Sequence, residues 1–336
     1  MIRMGILSVA HMHADGYVRS LAESDGSAQI IGFYHPEAET ASRFGERRNV
    51  PVWEDPEALV AASDAVVVTA ENAKHREFVE MALRAHKPVL CEKPLATSLE
   101  DGVAMVQLSR ELDVPLYMAL PVRFVPSVQD LRSSVLSGKI GRLLTLVGTN
   151  HGGMPGGWFV DRGLSGGGAV ADHTSHVADI MRWIAESDVV SVYAEISDVM
   201  HQGPVDDSAI LTLEFDNGVI ATLDPSWSRL PGHPMGVDVT LEAVGTEGYA
   251  RWDAFKTRLD LYLPIGDEPE STHRKADYGE SMDAHLVEEF ILSVEQGKPG
   301  PTIATGIDGL RALEVSLAAY QSAEQRAPVA TARIQV

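Results

Sequence analysis

The sequence contains little cysteine and little positive charge. Its single cysteine, Cys91, cannot form an intramolecular disulfide, which excludes a small fold held together by cystines. Lysine and arginine number 27 against 48 aspartates and glutamates, so the formal charge is −21. Such a polyanion repels nucleic acid, which is itself a polyanion, and anionic lipid surfaces. Nucleic acid and membrane surfaces are therefore not expected partners.

Long apolar runs are also missing. No stretch approaches the roughly 18 apolar residues that a membrane span requires, and the opening MIRMGILSVA enters a predicted strand with no apolar signal region before it. We therefore expect a cytoplasmic protein. A hydrophobic content of 45% over 336 residues suits about two globular domains.

Short apolar runs alternate with amphipathic segments in the first third of the chain. The predicted strands are residues 2–9, 28–34, 65–69, 88–91 and 115–119, and the predicted helices are residues 15–24, 36–46, 74–85 and 98–112. Strands separated by helices imply right-handed crossovers. We predict an α/β protein whose residues 1–121 form a Rossmann domain, a doubly wound parallel sheet.

The pattern changes after Pro121. The predicted helices are residues 126–137, 168–184, 282–296 and 307–323, and the predicted strands are residues 143–149, 190–196, 208–215, 219–226, 237–244 and 258–263. Residues 122–336 are predicted to form an α+β domain with a large, mostly antiparallel open sheet. Two of its strands alternate apolar and polar residues, so one face can pair with a second copy, as a homodimer or homotetramer.

The turn after the first strand lacks the glycines that usually let a pyrophosphate reach a helix N-terminus. Compared with G-x-G-x-x-G, it has Ser8, Ala10 and His13 at the three glycine positions. Serine and alanine are small enough for backbone amides to approach a phosphate. Dinucleotide binding and an ordinary capped turn with solvated histidines both remain open.

The sequence also leaves the choice between NAD and NADP open. Phe33 stands at the end of the second strand, where an acid usually binds the adenosine ribose. On the next predicted helix, Arg43, Arg47 and Arg48 could meet a 2′-phosphate or form surface ion pairs. Both cofactors are therefore candidates.

Segments along the whole chain resemble one enzyme family. Glu92-Lys93-Pro94 follows a predicted strand, residues 69–75 read TAENAKH, and residues 165–176 read SGGGAVADHTSH. These match the E-K-P, T-P-N-x-x-H and G-G-G-x-x-x-D-x-x-x-H motifs, although Glu71 replaces the usual proline. Residues 213–218 and 244–248 add two further matches. The sequence thus resembles the Gfo/Idh/MocA oxidoreductases, the family of glucose-fructose oxidoreductase and inositol dehydrogenase.

The resemblance implies an NAD(P)-dependent dehydrogenase that acts on a sugar, cyclitol or related polyol and binds it through the domain of residues 122–336. The predicted cofactor-binding residues are Ser8, Ala10, His11, Met12, Tyr34, His35, Ala70, Asn72, His75, Glu92 and Lys93. The predicted substrate-binding residues are Arg123, His151, Trp158 and His173. An interdomain ion pair for Arg123 and a loop-anchoring role for Trp158 are equal alternatives. The resemblance also suggests an unusual peptide bond between Lys93 and Pro94.

Three residues are predicted to be catalytic. Asp172 and His176 have i,i+4 spacing, which places them on one helix face. A carboxylate beside an imidazole orients it and raises its pKa, as a proton acceptor requires. Lys93, at a strand end, can donate to the same substrate oxygen and stabilise the alkoxide. No residue is assigned as a metal ligand.

Two other functions compete with this one. His11, His13, His151, His173 and His176 could converge with Asp172 in a metal-dependent enzyme, although H-M-H and D-H-x-x-H are not specific zinc signatures. Alternatively, the chain is a relative that binds a ligand and has lost dinucleotide binding. The sequence does not indicate which polyol reacts or in which direction.

Overall fold

The computed structural model describes residues 1–24, 26–233, 236–255, 258–264, 271–277 and 281–336. The first elements are β1 (Ile2–Leu7), α1 (Ala14–Glu23), β2 (Ala28–Tyr34), α2 (Ala38–Arg48), β3 (Val52–Trp53), α3 (Pro56–Ala62), β4 (Ala65–Val68), α4 (His75–Arg84), β5 (Val89–Cys91), α5 (Leu99–Leu112) and β6 (Leu116–Met118). Within the described ranges, no helix combines the length and apolarity needed to cross a bilayer.

The chain continues through a largely antiparallel second half. Its elements are α6 (Pro126–Leu136), β7 (Leu143–His151), α7 (Arg162–Ser165), α8 (Ala169–Ala185), β8 (Val189–Ser197), β9 (Ser208–Phe215), β10 (Ile220–Ser226), β11 (Asp238–Gly245), β12 (Tyr249–Asp253), β13 (Arg258–Pro264), β14 (Ser271–Asp277), α9 (Met282–Gln296), β15 (Ala304–Thr305), α10 (Gly306–Gln325) and β16 (Val329–Ala330). Short 3-10 helices cover Asn72–Lys74, Pro121–Phe124 and Gly157–Val160.

The first sheet has the strand order β15-β6-β5-β4-β1-β2-β3. All of its pairs are parallel except β15 with β6. Every residue of β4 is buried, as expected for a strand that has helices on both faces. The predicted doubly wound sheet is confirmed. Strand order reverses beside β1, so the turn after β1 and the loops after β4 and β5 meet at the edge where such sheets bind ligands.

The second sheet has the order β12-β11-β7-β10-β9-β8-β16. Its pairs are antiparallel except β7 with β10, which confirms the predicted mostly antiparallel sheet. Helices α8 and α10 cover one face, and the buried side chains of that face form a single apolar core. The other face exposes Val147, Ile210 and Ile220.

The end of the chain returns to the first sheet. Strand β15 pairs with β6, and helix α9 packs against α1. Leu286, Val287 and Phe290 of α9 lie in the same apolar core as Tyr17 of α1. A division at residue 121 therefore does not separate the packing into two parts, because elements near the end of the chain complete the first layer.

Candidate active site

A cavity of about 390 Å³ lies between the two halves of the chain. The turn after β1, the loop after β5, helix α8 and the start of α9 all contribute to its wall. Its polar lining residues include His11, His13, Lys93, Asn150, Asp172, His173, His176 and Asp283. Residues far apart in the sequence, several of them predicted site residues, thus line one cavity.

Lys93 joins the two halves at this cavity. Strand β5 ends at Cys91 and places Lys93 at the carboxyl edge of the sheet, where the Lys93–Pro94 peptide is cis. Lys93 Nζ lies 2.5 Å from Asp172 Oδ1 and 3.2 Å from the Asp172 carbonyl oxygen. An ammonium has three N–H donors. Its two contacts to Asp172 therefore use two of these donors, and the third is left for other contacts.

Asp172 is held in its ionised form by its neighbours. Burial opposes ionisation, but Lys93, His173 and the hydrogen bond from Trp227 keep the pKa of Asp172 well below its usual range. Trp227 Nε1 donates to Asp172 Oδ2 at 3.1 Å, and His173 Nε2 lies 3.3 Å from the same oxygen. The side-chain contacts of Asp172 are thus to Lys93, Trp227 and His173.

The environment of His176 changes its pKa in the direction opposite to the prediction. Burial, and then the charges of Lys93 and His13, lower its pKa well below the ordinary value, and the opposing effect of Asp172 is smaller. The prediction of a raised pKa is therefore wrong. Its Nδ1 has no hydrogen-bond partner among the described residues. His176 is a neutral imidazole at neutral pH, and this form can accept a proton.

Two other histidines lie on opposite faces of the second sheet. His173 lines the cavity, and its Nδ1 donates to the Asn150 carbonyl at 2.9 Å. His151 lies on the opposite face, 3.0 Å from Asp224 and 2.9 Å from Asp238. Burial alone would lower the pKa of His151, but the two carboxylates raise it to about 9. The predicted substrate contact of His151 is corrected to this cluster of charges.

The glycine run before α8 is required by close packing. A Cβ at Gly168 would lie 1.8 Å from the Asp206 carbonyl oxygen, and a Cβ at Gly167 would lie 2.0 Å from the Tyr320 hydroxyl. Asp206 also accepts from the amides of Gly168 and Val170, at 2.9 and 2.8 Å. Asp206 therefore caps the helix that carries Asp172 and His176.

We expect Gly168→Ala to lower both stability and turnover. The added methyl cannot fit without moving the start of α8, and such overpacking costs about 1–3 kcal/mol. Gly203→Ala is the matched control, since its Cβ would meet nothing within 4 Å. Urea unfolding and initial rates of both variants test this. Wild-type behaviour of Gly168→Ala would contradict the packing argument.

The backbone of the turn after β1 adopts a conformation that usually requires glycine, although the turn contains none. Ser8 has φ of +66°, the left-handed conformation that glycine normally supplies. Internal hydrogen bonds hold the turn, since the amides of Ala10 and His11 donate to Ser8 Oγ (3.2 Å) and to the Thr69 carbonyl (3.0 Å). His35 Nδ1 lies 3.1 Å from Ser8 Oγ. Two predicted cofactor contacts lie nearby: the side chain of Met12 is 57% exposed, and Tyr34 is partly buried.

Trp158 anchors its loop to this turn. Its indole nitrogen donates to the Ala10 carbonyl at 3.1 Å, and its ring stacks on Phe159 with 3.9 Å between centroids. Phe159, not Trp158, lines the cavity. Of the two alternatives for Trp158, the structure favours loop anchoring.

The loop after β4 contains two predicted cofactor residues with different surroundings. Asn72 donates to the Ser165 carbonyl at 2.8 Å, and its Oδ1 has no partner within the described part of the chain. His75 is fully buried, and its ring nitrogens lie 2.9 Å from the Pro94 carbonyl and 3.2 Å from the carbonyl of the equally buried Ala70. The predicted cofactor contact of His75 is therefore corrected to a role inside the loop.

Arg123 is a structural residue. Its guanidinium makes a bidentate pair with Asp179, both distances being 2.6 Å, and lies 3.3 Å from Asp308 of α10. It is buried and does not line the cavity. Of the two alternatives for Arg123, the structure supports the ion pair, and the predicted substrate contact is corrected.

Sequence reasoning missed two residues of the site: Trp227 holds Asp172, and Asp283 enters the cavity from α9. His13, which lies 3.0 Å from the buried carboxylate of Glu92, was considered only for the competing metal-dependent function. Trp227 and Asp283 have no local signal, because each reaches the site from a distant element.

Family models match both halves of the chain. Residues 2–120 match the oxidoreductase family with an NAD-binding Rossmann fold, GFO_IDH_MocA. Residues 128–251 match the GFO/IDH/MocA C-terminal domain. The chain belongs to the GFO/IDH/MocA family of oxidoreductases. The predicted family is confirmed.

Individual members of the GFO/IDH/MocA family are similar over most of the chain. It is 30% identical to an inositol 2-dehydrogenase of Corynebacterium glutamicum, covering 74% of this chain and 73% of that protein. It is 32% identical to a 1,5-anhydro-D-fructose reductase of Ensifer adhaerens, covering 77% of each chain. The crystal structure of a probable dehydrogenase from Thermotoga maritima superposes with a TM-score of 0.82 at 25% identity, covering 99% of this chain and 100% of that one.

Proposed function

We propose that this NAD-dependent oxidoreductase transfers hydride between the nicotinamide and a secondary alcohol carbon of a sugar, cyclitol or related polyol. One observation carries the proposal: an ammonium, a carboxylate and a neutral imidazole line one cavity at the ligand-binding edge of a doubly wound sheet. The names of the relatives, inositol 2-dehydrogenase and 1,5-anhydro-D-fructose reductase, support a polyhydroxylated substrate.

Each catalytic side chain has a role that follows from its contacts. His176 accepts the hydroxyl proton as a neutral imidazole. Lys93 donates its remaining N–H to the same oxygen and stabilises the developing alkoxide. Asp172 fixes the ammonium at 2.5 Å and does not orient His176. His173 lines the same cavity and binds a neighbouring substrate hydroxyl.

The residues around the cleft fit a dinucleotide. The buried Asn72 Oδ1 lacks a partner among the described residues, and the left-handed Ser8 preserves the turn that precedes the N-terminus of α1. When bound, the nicotinamide supplies the hydride acceptor. The pyrophosphate would lie against the turn formed by Ser8, Ala10 and Met12. Towards its two ends the cofactor would meet Tyr34, His35, His11, Asn72 and Lys93, whereas Ala70 and Glu92 are fully buried and would support the loops around it.

The contacts of the arginines on α2 favour NAD over NADP. Arg43 pairs with Glu39 at 3.2 Å, Arg47 pairs with Asp15 at 2.7 Å, and Arg48 also pairs with Asp15. A 2′-phosphate would have to compete with these carboxylates for the guanidinium groups. The 2′-hydroxyl of NAD carries no charge and faces no such competition.

A dehydrogenase screen tests the function. Purified protein, supplied with a panel of inositols, aldoses and anhydrosugars, should reduce NAD with at least one of them, and kcat/KM should be lower with NADP. Binding of NADH and NADPH is titrated by fluorescence in parallel. Absence of turnover with the whole panel, together with absence of NADH binding, would overturn the proposal.

The assembly and the location of the protein remain proposals. The open face of the second sheet exposes Val147, Ile210, Ile220 and Tyr249, which supports a homodimer or homotetramer formed through this face. Sedimentation equilibrium measures the subunit number. The expected cytoplasmic location stays a prediction.

A further inference from the structure

Asp283 lines the cavity with a carboxylate that none of the described residues binds. It lies in the first turn of α9. Within the described part of the chain the carboxylate has no hydrogen bond and no ion pair, and neighbouring charges act on it only through space. It packs where α1 has no side chain, since a Cβ at Gly16 would lie 3.0 Å from Asp283 Oδ2. The start of α9 therefore presents a free acceptor to the molecule that fills the cavity.

The other charged groups of the described cavity wall are paired. Lys93 lies 2.5 Å from Asp172, and His13 lies 3.0 Å from Glu92. Burial lowers the pKa of the other lining histidines, so they carry no charge at neutral pH: His11, His173 and His176. Among the described lining residues, the charge left without a partner is therefore the negative charge of Asp283.

The surroundings of this carboxylate favour a positively charged ligand. Burial and the charge of Glu92 raise the pKa of Asp283, whereas His13 and the exposed Arg19 lower it. A charge taken out of water without a counter-charge is destabilising, and a cation in contact with it recovers the lost interaction. A neutral hydroxyl supplies a hydrogen bond and no counter-charge. An ammonium supplies both.

The carboxylate lies apart from the reacting groups. Against the effect of burial, Glu92 and then Asp283 raise the pKa of His13. Besides burial, the charges that act on the pKa of His176 lie on Lys93, on the turn after β1 and on α8. Asp283 thus lies on the His13 side of the cavity. It would contact a substituent of the substrate other than the reacting hydroxyl.

We propose that Asp283 binds an ammonium group of the substrate, and that the preferred substrate is an amino sugar or an aminocyclitol. The ammonium would occupy a ring position other than the one that exchanges hydride. The hydroxyl of the reacting carbon would still lie between Lys93 and His176. The reaction of such a substrate rests on the proposed function, whereas its binding does not depend on hydride transfer.

Matched pairs of ligands measure the preference. D-glucose is compared with D-glucosamine, D-galactose with D-galactosamine, and scyllo-inositol with scyllo-inosamine, by isothermal titration calorimetry in the presence of NADH and slightly below neutral pH. The amino member of at least one pair should bind about tenfold or more tightly, because hydrogen bonds between charged groups are the stronger ones. N-acetylglucosamine keeps the nitrogen and loses the charge, so it should bind no better than glucose. Rates of NAD reduction should give the same order in kcat/KM.

Two variants assign the preference to Asp283. Asp283→Asn keeps the size of the side chain and removes the charge, so the ratio of affinities within the preferred pair should fall by about tenfold. Asp283→Glu keeps the charge and should keep part of the preference. Glu288→Gln is the matched control, since Glu288 is exposed on the same helix and does not line the cavity. Its ratio should equal that of the wild type. Urea unfolding of each variant checks the fold.

The outcomes separate this inference from the proposed function. If the wild type does not bind the amino member of any pair more tightly, the inference is overturned, and a preference that Asp283→Asn retains has the same consequence. Weaker binding of NAD by Asp283→Asn, with an unchanged ratio, would assign the carboxylate to the cofactor instead. Amino sugars that bind through Asp283 without reducing NAD would refute the proposed hydride transfer alone.

Discussion

Replacing Lys93 by methionine should lower kcat by about 10²-fold or more. Methionine keeps most of the length of the side chain and removes the ammonium that stabilises the alkoxide. It also leaves Asp172 without its 2.5 Å partner. Steady-state rates with saturating NAD and substrate measure the effect. Lys139→Met is the matched control, since Lys139 is exposed and does not line the cavity.

Replacing the imidazole of His176 should also lower turnover, and the pH dependence of the wild type gives a further test. His176→Asn should also cost about 10²-fold or more in kcat. Because burial lowers the pKa of His176 well below its ordinary value, kcat/KM of the wild type should show no ionisation of this group near pH 6.5. Near-wild-type turnover in both variants would refute the catalytic assignment. A tenfold fall with Lys139→Met would show that the assay reports general damage.

Replacing Arg123 by methionine should destabilise the protein by about 3–5 kcal/mol. The guanidinium makes two 2.6 Å contacts with the buried Asp179, so its removal leaves a carboxyl group in the interior without the cation that hydrogen-bonds it. Urea unfolding measures the loss. Arg43→Met is the control, because Arg43 and its partner Glu39 are both exposed and such pairs contribute about 0–1 kcal/mol.

A second variant separates the charge from the packing. Arg123→Met combined with Asp179→Leu removes both charges and should recover part of the lost stability, because apolar pairs can replace buried ion pairs. Equal stability of Arg123→Met and the wild type would contradict a structural role. It would also reopen the assignment of Arg123 to the substrate.

Local sequence patterns predicted most of the fold. Alternating apolar runs and amphipathic segments predicted the parallel sheet, and the strands predicted at residues 208–215 and 219–226 are observed as the antiparallel pair β9 and β10. The strand end at Lys93 and the helix at Asp172 were each predicted from their own neighbourhoods. Their contact followed only from the family resemblance, because nothing local relates two residues so far apart.

The features that could not be predicted from the sequence depend on burial and on long-range contacts. The pKa of His176 falls because its surroundings exclude water, and the spacing of residues in the sequence does not reveal this. Arg123 has the same sequence signature whether it faces a substrate or Asp179. Asp283 reaches the cavity only because α9 packs on α1, across most of the chain. In each case the deciding partner is far away in sequence.

Helix α9 and strand β15 also constrain how the protein is made. Tyr17 of α1 shares its core with Phe290, and the outer edge of β6 is closed by residues 304–305. On the ribosome, the first half of the chain emerges long before these segments are synthesised. Part of its apolar surface therefore stays uncovered until then, so the nucleotide-binding half completes its folding only after residues 282–305 have been synthesised.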